Sequence, residues 1–261
     1  MAGNVSSPGT SVTSRVLSVL GCFDARHPSL RLSEIARGAD LPLSTAHRLV
    51  GELVAWGALS RLEDGSYAIG RRLWRLGLLA PASSTLREAA APFLHDIHAA
   101  TRATVHLGVR DGITVLYLER LSGSVSVPVV SRVGSRLPLH ATGVGKVLLA
   151  YAPPEVQTAA FARLERVTPY TITQPRLLHH QLARVRDEGF AATQEEMSLG
   201  ACSVAVPVRD PHQEVVAALG IVVPTLARHR PRLIASLQVA AAGVERTLLS
   251  VRDDRERPGF H

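Results

Sequence analysis

The chain has 261 residues, 46% hydrophobic and 20% charged, which excludes a disordered or collagen-like protein and leaves room for one large domain or two modest ones. Its formal net charge of +7 favours a polyanionic partner such as nucleic acid, but only +3 of this charge falls in residues 1–75. The two cysteines, Cys22 and Cys202, are too few for a disulfide framework and are typical of a reducing cytoplasm.

Neither end of the sequence resembles a targeting or membrane segment. Residues 1–14 contain no basic side chain and no sustained apolar run, so we expect no secretory signal peptide. The longest apolar stretch, Val215–Ala227, includes Pro224 and is shorter than the roughly 20 residues that span a bilayer. We therefore expect a cytoplasmic protein with no membrane partner. Residues 1–10 and 252–261 are expected to be disordered tails.

Residues 11–75 predict a winged helix-turn-helix domain. Ser33 is predicted to cap a short helix, and Ser44 is predicted to cap a longer one that ends before Gly57. The apolar residues of the longer helix recur at helical spacing: Ala46, Leu49, Val50, Leu53 and Val54. Alternating residues around Asp64-Gly65 then predict a β-hairpin, which in this position would be the wing.

The second helix leaves polar residues off its apolar stripe, in the first turns that meet base edges when such a helix enters the major groove. The candidate DNA-binding residues are Ser33, Ser44, Thr45, His47, Arg48 and Arg61. Arg48 is the strongest, because its guanidinium can bind guanine or phosphate, whereas His47 alone is typical of a surface histidine. Arg71, Arg72 and Arg75 would lie beside the wing and contact phosphates. A generic helical hairpin followed by a turn is the alternative, but the caps, spacing and wing together favour DNA binding.

Residues 76–100 predict a linker helix, and residues 101–251 predict an α+β domain with one antiparallel sheet. Its hairpin turns at Asp111-Gly112, and residues 124–130 predict a further edge strand that contains Pro128. Gly143 and Gly145 precede an apolar run, which predicts a glycine-rich loop entering a helix whose exposed N–H groups could hold an anion. Neither the P-loop nor the dinucleotide-binding pattern is satisfied there.

No catalytic or metal-binding constellation stands out. There is no G-x-S-x-G sequence, and His95 and His98 lack further ligands, so no metal or cofactor is predicted. Cys202 lies in an apolar strand and is interpreted as a buried small hydrophobe. Glu195-Glu196 could be paired acids, but a solvated strand end is the interpretation we adopt.

Three segments carry a resemblance to a known family: LSEIARGADLPLSTAHRLVGELVAWGAL, RVGSRLPLHATGVGKVLLA, and GACSVAVPVRD before VVAALGIVV. Over residues 10–250 the chain resembles the IclR family of bacterial transcriptional regulators. The resemblance implies an N-terminal winged helix-turn-helix domain, a linker helix and a C-terminal GAF-like effector-binding domain. It also implies a homodimer, or a dimer of dimers, on operator DNA.

The resemblance further implies the residues that contact a small-molecule effector: Val129, Leu137, Gly143, Val144, Thr193, Ser203, Gly220 and Val222. Thr193 stands where an acidic residue can occur, and Gly220 and Val222 stand where serines can occur. This less polar wall favours a larger or more apolar ligand, such as an aromatic acid, over glyoxylate- or pyruvate-like effectors. Asp40 replaces a glycine common in the helix-turn, and we expect it to tolerate left-handed geometry with a small strain.

We therefore expect a ligand-responsive repressor of a metabolic operon rather than an enzyme. An activator of the same architecture remains open. A small-molecule enzyme or scaffold whose N-terminal helices only dimerise it is a further alternative, disfavoured by the missing catalytic residues.

Overall fold

The computed structural model describes residues 11–24, 27–77, 81–123, 127, 130–227 and 229–256, and contacts within the chain divide it into two units, Met1–Pro81 and Ala82–His261. The predicted strand at 124–130 falls almost entirely outside the described residues, and so does the candidate effector residue Val129. The predicted tail 1–10 lies outside them as well. Within the described residues, no helix is long and apolar enough to cross a membrane.

The first unit, here called the head, is a set of short helices followed by a three-stranded sheet. Its elements in chain order are α1 Val12–Gly21, β1 Ser29–Leu30, α2 Leu32–Gly38, α3 Leu43–Trp56, β2 Leu59–Arg61, β3 Tyr67–Ile69 and α4 Arg71–Gly77. Both neighbouring strand pairs are antiparallel, in the order β1-β3-β2. The predicted wing is present, and it turns at Gly65 with a φ of 80° that suits glycine.

Two predicted helix caps are wrong. Helix α2 begins after Arg31, whose backbone N–H donates to the Glu34 carboxylate at 2.7 Å, while Ser33 lies inside the first turn. Helix α3 begins after Pro42, and Ser44 is its second residue and points to solvent. In both cases the helix begins one residue before the serine, because a carboxylate three residues after the cap, or a proline, can also start a helix.

The turn between α2 and α3 has the left-handed residue expected at Asp40, with a φ of 52°. Helix α3 ends as predicted, with Gly57 in left-handed geometry and its N–H on the Leu53 carbonyl. The buried stripe of α3 packs on α1, α2 and β2 to form the small apolar core of the head: Val19, Ile35, Leu49, Val50, Leu53, Ala58 and Leu59. The opposite face of α3 is left exposed.

The second unit, here called the effector unit, is built on a six-stranded antiparallel sheet. Its elements are α5 Pro81–Thr101, β4 Thr104–Asp111, β5 Thr114–Leu121, β6 Arg136–Pro138, α6 Gly143–Ala150, α7 Pro154–Phe161, α8 Pro175–Glu188, β7 Ala191–Gln194, β8 Cys202–Arg209, β9 Val215–Val223 and α9 Arg230–Glu256. The strands lie in the order β6-β5-β4-β9-β8-β7, and each neighbouring pair is antiparallel. The predicted α+β class and antiparallel sheet are confirmed.

Alternate residues along each strand face opposite sides of this sheet. Val105 and Leu107 of β4 pack in one apolar core with residues of α5 and α9. The other face is covered by α6 and α8, in a second core that includes Tyr117 and Ala205. The central strands are therefore buried on both faces, and the residues of the α6-covered face lie in a water-poor interior.

Helix α9 differs from its sequence prediction at its end. The prediction places a disordered tail from Arg252, but α9 continues to Glu256, five residues into that segment. Residues 252–256 contain no proline or glycine, and charged residues by themselves do not stop a helix.

Candidate functional site

The exposed face of α3 presents the side chains that the sequence singles out for DNA binding. Ser44, His47 and Arg48 are exposed, and Thr45 is half-buried. The Arg48 guanidinium donates to the Glu52 carboxylate at 2.6 Å, one turn further along the helix. Both side chains are well exposed, so this pair is weak and can open when a partner for Arg48 arrives.

The other head candidates are spread over separate elements. Arg61 is exposed on β2, and Ser33 is exposed on α2. Arg71, Arg72 and Arg75 belong to α4 rather than to an open strand end. Arg72 stacks over the Trp56 ring with its guanidinium carbon 4.2 Å from the ring centroid, and it donates to the Trp56 carbonyl. Arg72 therefore already stabilises the end of α3.

In the effector unit, a cavity with an empty volume of about 490 Å³, partly open to solvent, lies between α6 and the sheet. Seven of the eight residues expected to contact an effector line it: Leu137, Gly143, Val144, Thr193, Ser203, Gly220 and Val222. Its walls are mainly apolar with a few polar groups, as is usual for small-molecule sites.

The two glycines let α6 approach the sheet closely enough to close the cavity. A Cβ on Gly143 would lie 2.6 Å from the Ser203 hydroxyl oxygen, and a Cβ on Gly220 would lie 2.6 Å from a Val144 methyl. Neither distance is compatible with an added methyl group unless a neighbour moves. A larger residue at either position would occupy cavity space or push α6 away.

The start of α6 is not the open glycine loop that the sequence predicts. Gly143 and Gly145 lie within the first turn of the helix, and all eight residues of α6 are buried. Thr142 caps the helix, because its hydroxyl accepts from the Gly145 N–H at 3.0 Å. The N–H groups of the first turn therefore face the protein interior and the cavity rather than bulk solvent.

The wall formed by β7 and β8 carries a neutral polar pair. The Thr193 and Ser203 hydroxyl oxygens are 2.6 Å apart, since the two residues are opposite each other in the strand register. A hydroxyl can donate and accept at the same time, so this pair retains acceptor capacity for a ligand group.

The cavity also contains residues that sequence reasoning missed. His106 and Tyr117 line it with their rings in edge contact, 5.0 Å between centroids, and the His106 Nε2 is 2.7 Å from the Ser131 hydroxyl. Burial, with a smaller contribution from the Arg120 charge, lowers the pKa of His106 to about 3. Burial raises the pKa of Tyr117 to about 12, partly opposed by its hydrogen bond with Thr142. Both rings are therefore neutral near pH 7.

A buried ion pair holds the loop between β7 and β8. The Lys146 ammonium donates to both Glu196 carboxylate oxygens at 2.6 and 2.7 Å and to the Gln181 side-chain oxygen at 2.6 Å. Burial lowers the pKa of Lys146 and raises that of Glu196, and the attraction between the two charges opposes both changes. The interpretation of Glu196 as a solvated strand end is wrong.

This pair connects two walls of the cavity. Lys146 belongs to α6, which supplies Gly143 and Val144, and the loop after Glu196 supplies Met197 and Ser198. The Thr168 hydroxyl donates to the Glu195 carbonyl at 2.6 Å and the Thr171 hydroxyl donates to the Glu196 carbonyl at 2.7 Å, so the loop is also anchored from outside the cavity. The only sequence signal for this arrangement is that Lys146 is the single lysine among 29 basic residues.

Cys202 is buried in β8, and burial raises the pKa of its thiol, which fits its interpretation as a small hydrophobe. Within the described ranges, no group of three or more histidine, cysteine or acidic side chains could hold a metal ion. The His95 Nδ1 lies 2.8 Å from the Ala91 carbonyl oxygen of the same helix, α5, and forms a hydrogen bond with it.

Two family models match this chain and together cover most of it. The model described as "Bacterial transcriptional regulator IclR C-terminal" matches residues 80–246, and the "IclR helix-turn-helix domain" matches residues 12–63. The chain belongs to the IclR family of bacterial transcriptional regulators. Its head is a helix-turn-helix DNA-binding domain, and its effector unit is the ligand-binding domain of the family.

Individual relatives agree with this assignment. The chain is 33% identical to the HTH-type transcriptional regulator XynR of Escherichia coli, over 79% of this chain and 83% of XynR. It is 32% identical to the glycerol operon regulatory protein of Streptomyces coelicolor, over 95% and 98% of the two chains. These relatives are named as regulators, and this chain is a regulator rather than an enzyme.

Among solved structures, an IclR homologue from Microbacterium hydrocarbonoxydans in complex with 4-hydroxybenzoate is 38% identical, with a TM-score of 0.88. The match covers 92% of this chain and all of that one. The IclR of Thermotoga maritima is 29% identical, with a TM-score of 0.72, and covers 90% and 98% of the two chains.

Proposed function

We propose that this protein is a repressor of a metabolic operon whose binding to operator DNA responds to an aromatic or moderately apolar acid held in the effector unit. The observation that carries the proposal is the cavity between α6 and the sheet, which brings seven expected effector residues together. Its lining is mainly apolar, and the polar side chains that line it are neutral near pH 7.

Three features support this class of effector over a small dicarboxylate or keto acid. Leu137, Val144 and Val222 provide an apolar surface in the cavity, against which an aromatic ring would pack. Thr193 provides a neutral hydroxyl where an acidic residue could stand. A structural relative that is 38% identical binds 4-hydroxybenzoate, which is an aromatic acid of this kind.

The proposed DNA contacts follow from the exposed face of α3. Base edges would be contacted by four residues of α3: Ser44, Thr45, His47 and Arg48. The DNA sugar-phosphate backbone would be contacted by Arg61 in the wing and Ser33 in α2. In a homodimer or a dimer of dimers, two such helices would enter successive major grooves of a pseudo-palindromic operator. Effector binding would change the fraction of the protein that is competent to bind DNA.

The first experiment asks whether the protein retains a DNA fragment from the region upstream of its own gene, in the presence of excess non-specific DNA. Specific retention at moderate salt supports the proposal, because specific complexes are about 10³- to 10⁷-fold tighter than non-specific ones. Equal retention of all fragments contradicts it. The oligomeric state, measured by light scattering with and without DNA, tests the dimer.

A reconstituted transcription assay on the same fragment distinguishes a repressor from an activator. Repression predicts that added protein lowers transcript yield and that 4-hydroxybenzoate restores it. A rise in yield on adding the protein would replace the repressor with an activator of the same architecture, and it would leave the DNA-binding proposal intact.

A further inference from the structure

One edge of the cavity carries a group of polar side chains that no resemblance assigns. This group, here called the His106 edge, consists of His106, Ser131, Arg120 and Thr104. His106 and Ser131 are almost fully buried and line the cavity, whereas Arg120 and Thr104 lie beside them without lining it. Arg120 lies directly opposite His106 in the register of β4 and β5, so both side chains project to the same face of the sheet. Thr104 lies two residues before His106 on that face.

Two polar atoms of the His106 edge lack partners. Within the part of the chain that the structure describes, the Thr104 hydroxyl and the Arg120 Nε are buried and have no hydrogen-bond partner. Leaving a buried polar group unsatisfied costs about 1–3 kcal/mol, and more when the group is charged. An acceptor bound at His106 and Ser131 would recover part of that cost if the Thr104 or Arg120 side chain turned toward it, because neither side chain lines the cavity in this structure.

The charges around the edge favour an anion. Burial and repulsion from Arg132 lower the pKa of Arg120, so two guanidinium groups lie close together here. The charge of Arg120 also reaches His106, where it opposes protonation. The neighbouring carboxylate of Glu119 belongs to the opposite face of the sheet and pairs with Arg87 of α5 at 3.0 Å. It therefore does not neutralise the cavity side.

The opposite wall is less suited to a charged group. The Thr193 and Ser203 hydroxyls already bind each other, and they carry no charge. At the start of α6, the Gly145 N–H is taken by the Thr142 cap. A carboxylate bound at His106 and Ser131 would lie near the full positive charge of Arg120, whereas the start of α6 and the wall of β7 and β8 offer only N–H and hydroxyl dipoles.

We propose that the His106 edge binds the carboxylate of the effector, so that its apolar body lies across the cavity and a neutral polar substituent meets the Thr193–Ser203 pair. This proposal rests on the function proposed above, that an acid occupies the cavity. It narrows the ligand class to a monocarboxylic acid with a flat apolar body and a hydroxyl-like group at the far end. Arg120 supplies charge, and His106 and Ser131 supply hydrogen bonds.

The test compares ligands that differ in one group, using isothermal titration calorimetry on the full-length protein. The probes are benzoate, phenol and 4-hydroxybenzoate. The variants are Arg120→Gln, which removes the charge of a partly buried side chain, and Arg110→Gln, which makes the same charge change at an exposed position on β4. Ser203→Ala removes one hydroxyl of the opposite wall. Circular dichroism confirms that each variant is folded.

We expect Arg120→Gln to weaken benzoate binding about tenfold or more and phenol binding less than about twofold. Only benzoate carries a negative charge that the Arg120 guanidinium attracts. Arg110→Gln should leave both unchanged. Ser203→Ala should weaken 4-hydroxybenzoate binding several-fold relative to benzoate.

Two results would overturn the subsite while leaving the proposed function in place. The first is that Arg120→Gln and Arg110→Gln change the affinity for benzoate by the same factor. The second is that Arg120→Gln lowers the affinities for benzoate and phenol equally, which would show a steric effect rather than a loss of charge. If the wild-type protein binds its operator but neither acid, the proposed effector class fails, and the carboxylate subsite fails with it.

Discussion

The head and the effector unit place their functional groups in opposite environments. In the head, a small apolar core fixes α3, and the candidate residues Ser44, His47 and Arg48 stand in solvent on its outer face. In the effector unit, the candidate residues lie in the interior, and burial shifts the pKa values of His106, Tyr117, Lys146 and Glu196. Substitutions in the head should therefore change DNA affinity at little cost in stability. Substitutions in the effector unit should alter stability and its pH dependence.

The strongest test of this contrast is Glu196→Ala, which leaves the Lys146 charge buried without its partner. We expect the effector unit to lose about 3–5 kcal/mol of unfolding free energy, because an unpaired buried charge is very costly. Urea unfolding followed by circular dichroism gives the value.

The matched control is Glu188→Ala, which breaks the exposed Arg184–Glu188 pair on α8. That change should cost less than about 1 kcal/mol. A double variant, Lys146→Met with Glu196→Leu, should recover most of the loss, since it removes both charges. Equal losses in Glu196→Ala and Glu188→Ala would contradict the importance of the buried pair.

In the head, Arg48→Ala should weaken operator binding by about 1–3 kcal/mol if its guanidinium contacts a base, and it should leave the unfolding free energy nearly unchanged. Fluorescence anisotropy with a labelled operator fragment measures the affinity. Arg163→Ala makes the same charge change at an exposed position of the effector unit and should have no effect. Arg48 has no recognition role if the two variants bind equally well.

The pH dependence of stability should next distinguish the effector unit from the head, because His106 is buried in the effector unit. The folded-state pKa of His106 is about 3, below its ordinary value of 6.5, so between these pH values the unfolded chain binds a proton that the folded chain does not. Stability therefore falls as the pH drops below 6.5, by about 2 kcal/mol from this group between pH 8 and pH 5. His106→Gln should remove that part of the slope in urea unfolding. Identical slopes for the wild type and the variant would contradict a buried, neutral histidine.

The smallest effect is expected in the turn of the head. Asp40 has a φ of 52°, which strains a residue with a Cβ, so Asp40→Gly should raise the thermal midpoint slightly, by less than about 1 kcal/mol of stability. Asp40→Ala should lower it, because alanine lacks the local hydrogen bonding that helps aspartate in this geometry. A gain in Asp40→Ala would show that the turn relaxes to a different backbone conformation.

The same contrast explains which features could be predicted from the sequence. The helices and wing of the head are specified by local signals, such as the spacing of Leu49 and Leu53 and the glycine at 65, and the structure has them. The caps at Ser33 and Ser44 were misplaced, because Glu34 and Pro42 compete for the same helix starts.

In the effector unit, the strands and most of the cavity lining could be predicted, but His106 and the Lys146–Glu196 pair could not. His106 faces the cavity because it lies opposite Gly220 of β9, and β4 and β9 are far apart in sequence. Lys146 and Glu196 are 50 residues apart and meet only after α6 packs on the sheet. Periodicity reports neither relationship.

The central claim is that an acid in the cavity controls DNA binding, and the most direct measurement is operator affinity with and without 4-hydroxybenzoate for the wild type and for Gly220→Leu. In the variant, the leucine Cβ would lie 2.6 Å from a Val144 methyl, so the leucine side chain would displace Val144, occupy cavity space and exclude the ligand. We predict that the acid changes the operator affinity of the wild type but not that of Gly220→Leu, with the two proteins binding DNA alike in its absence. An acid effect of the same size in both proteins, or in neither, would contradict the claim.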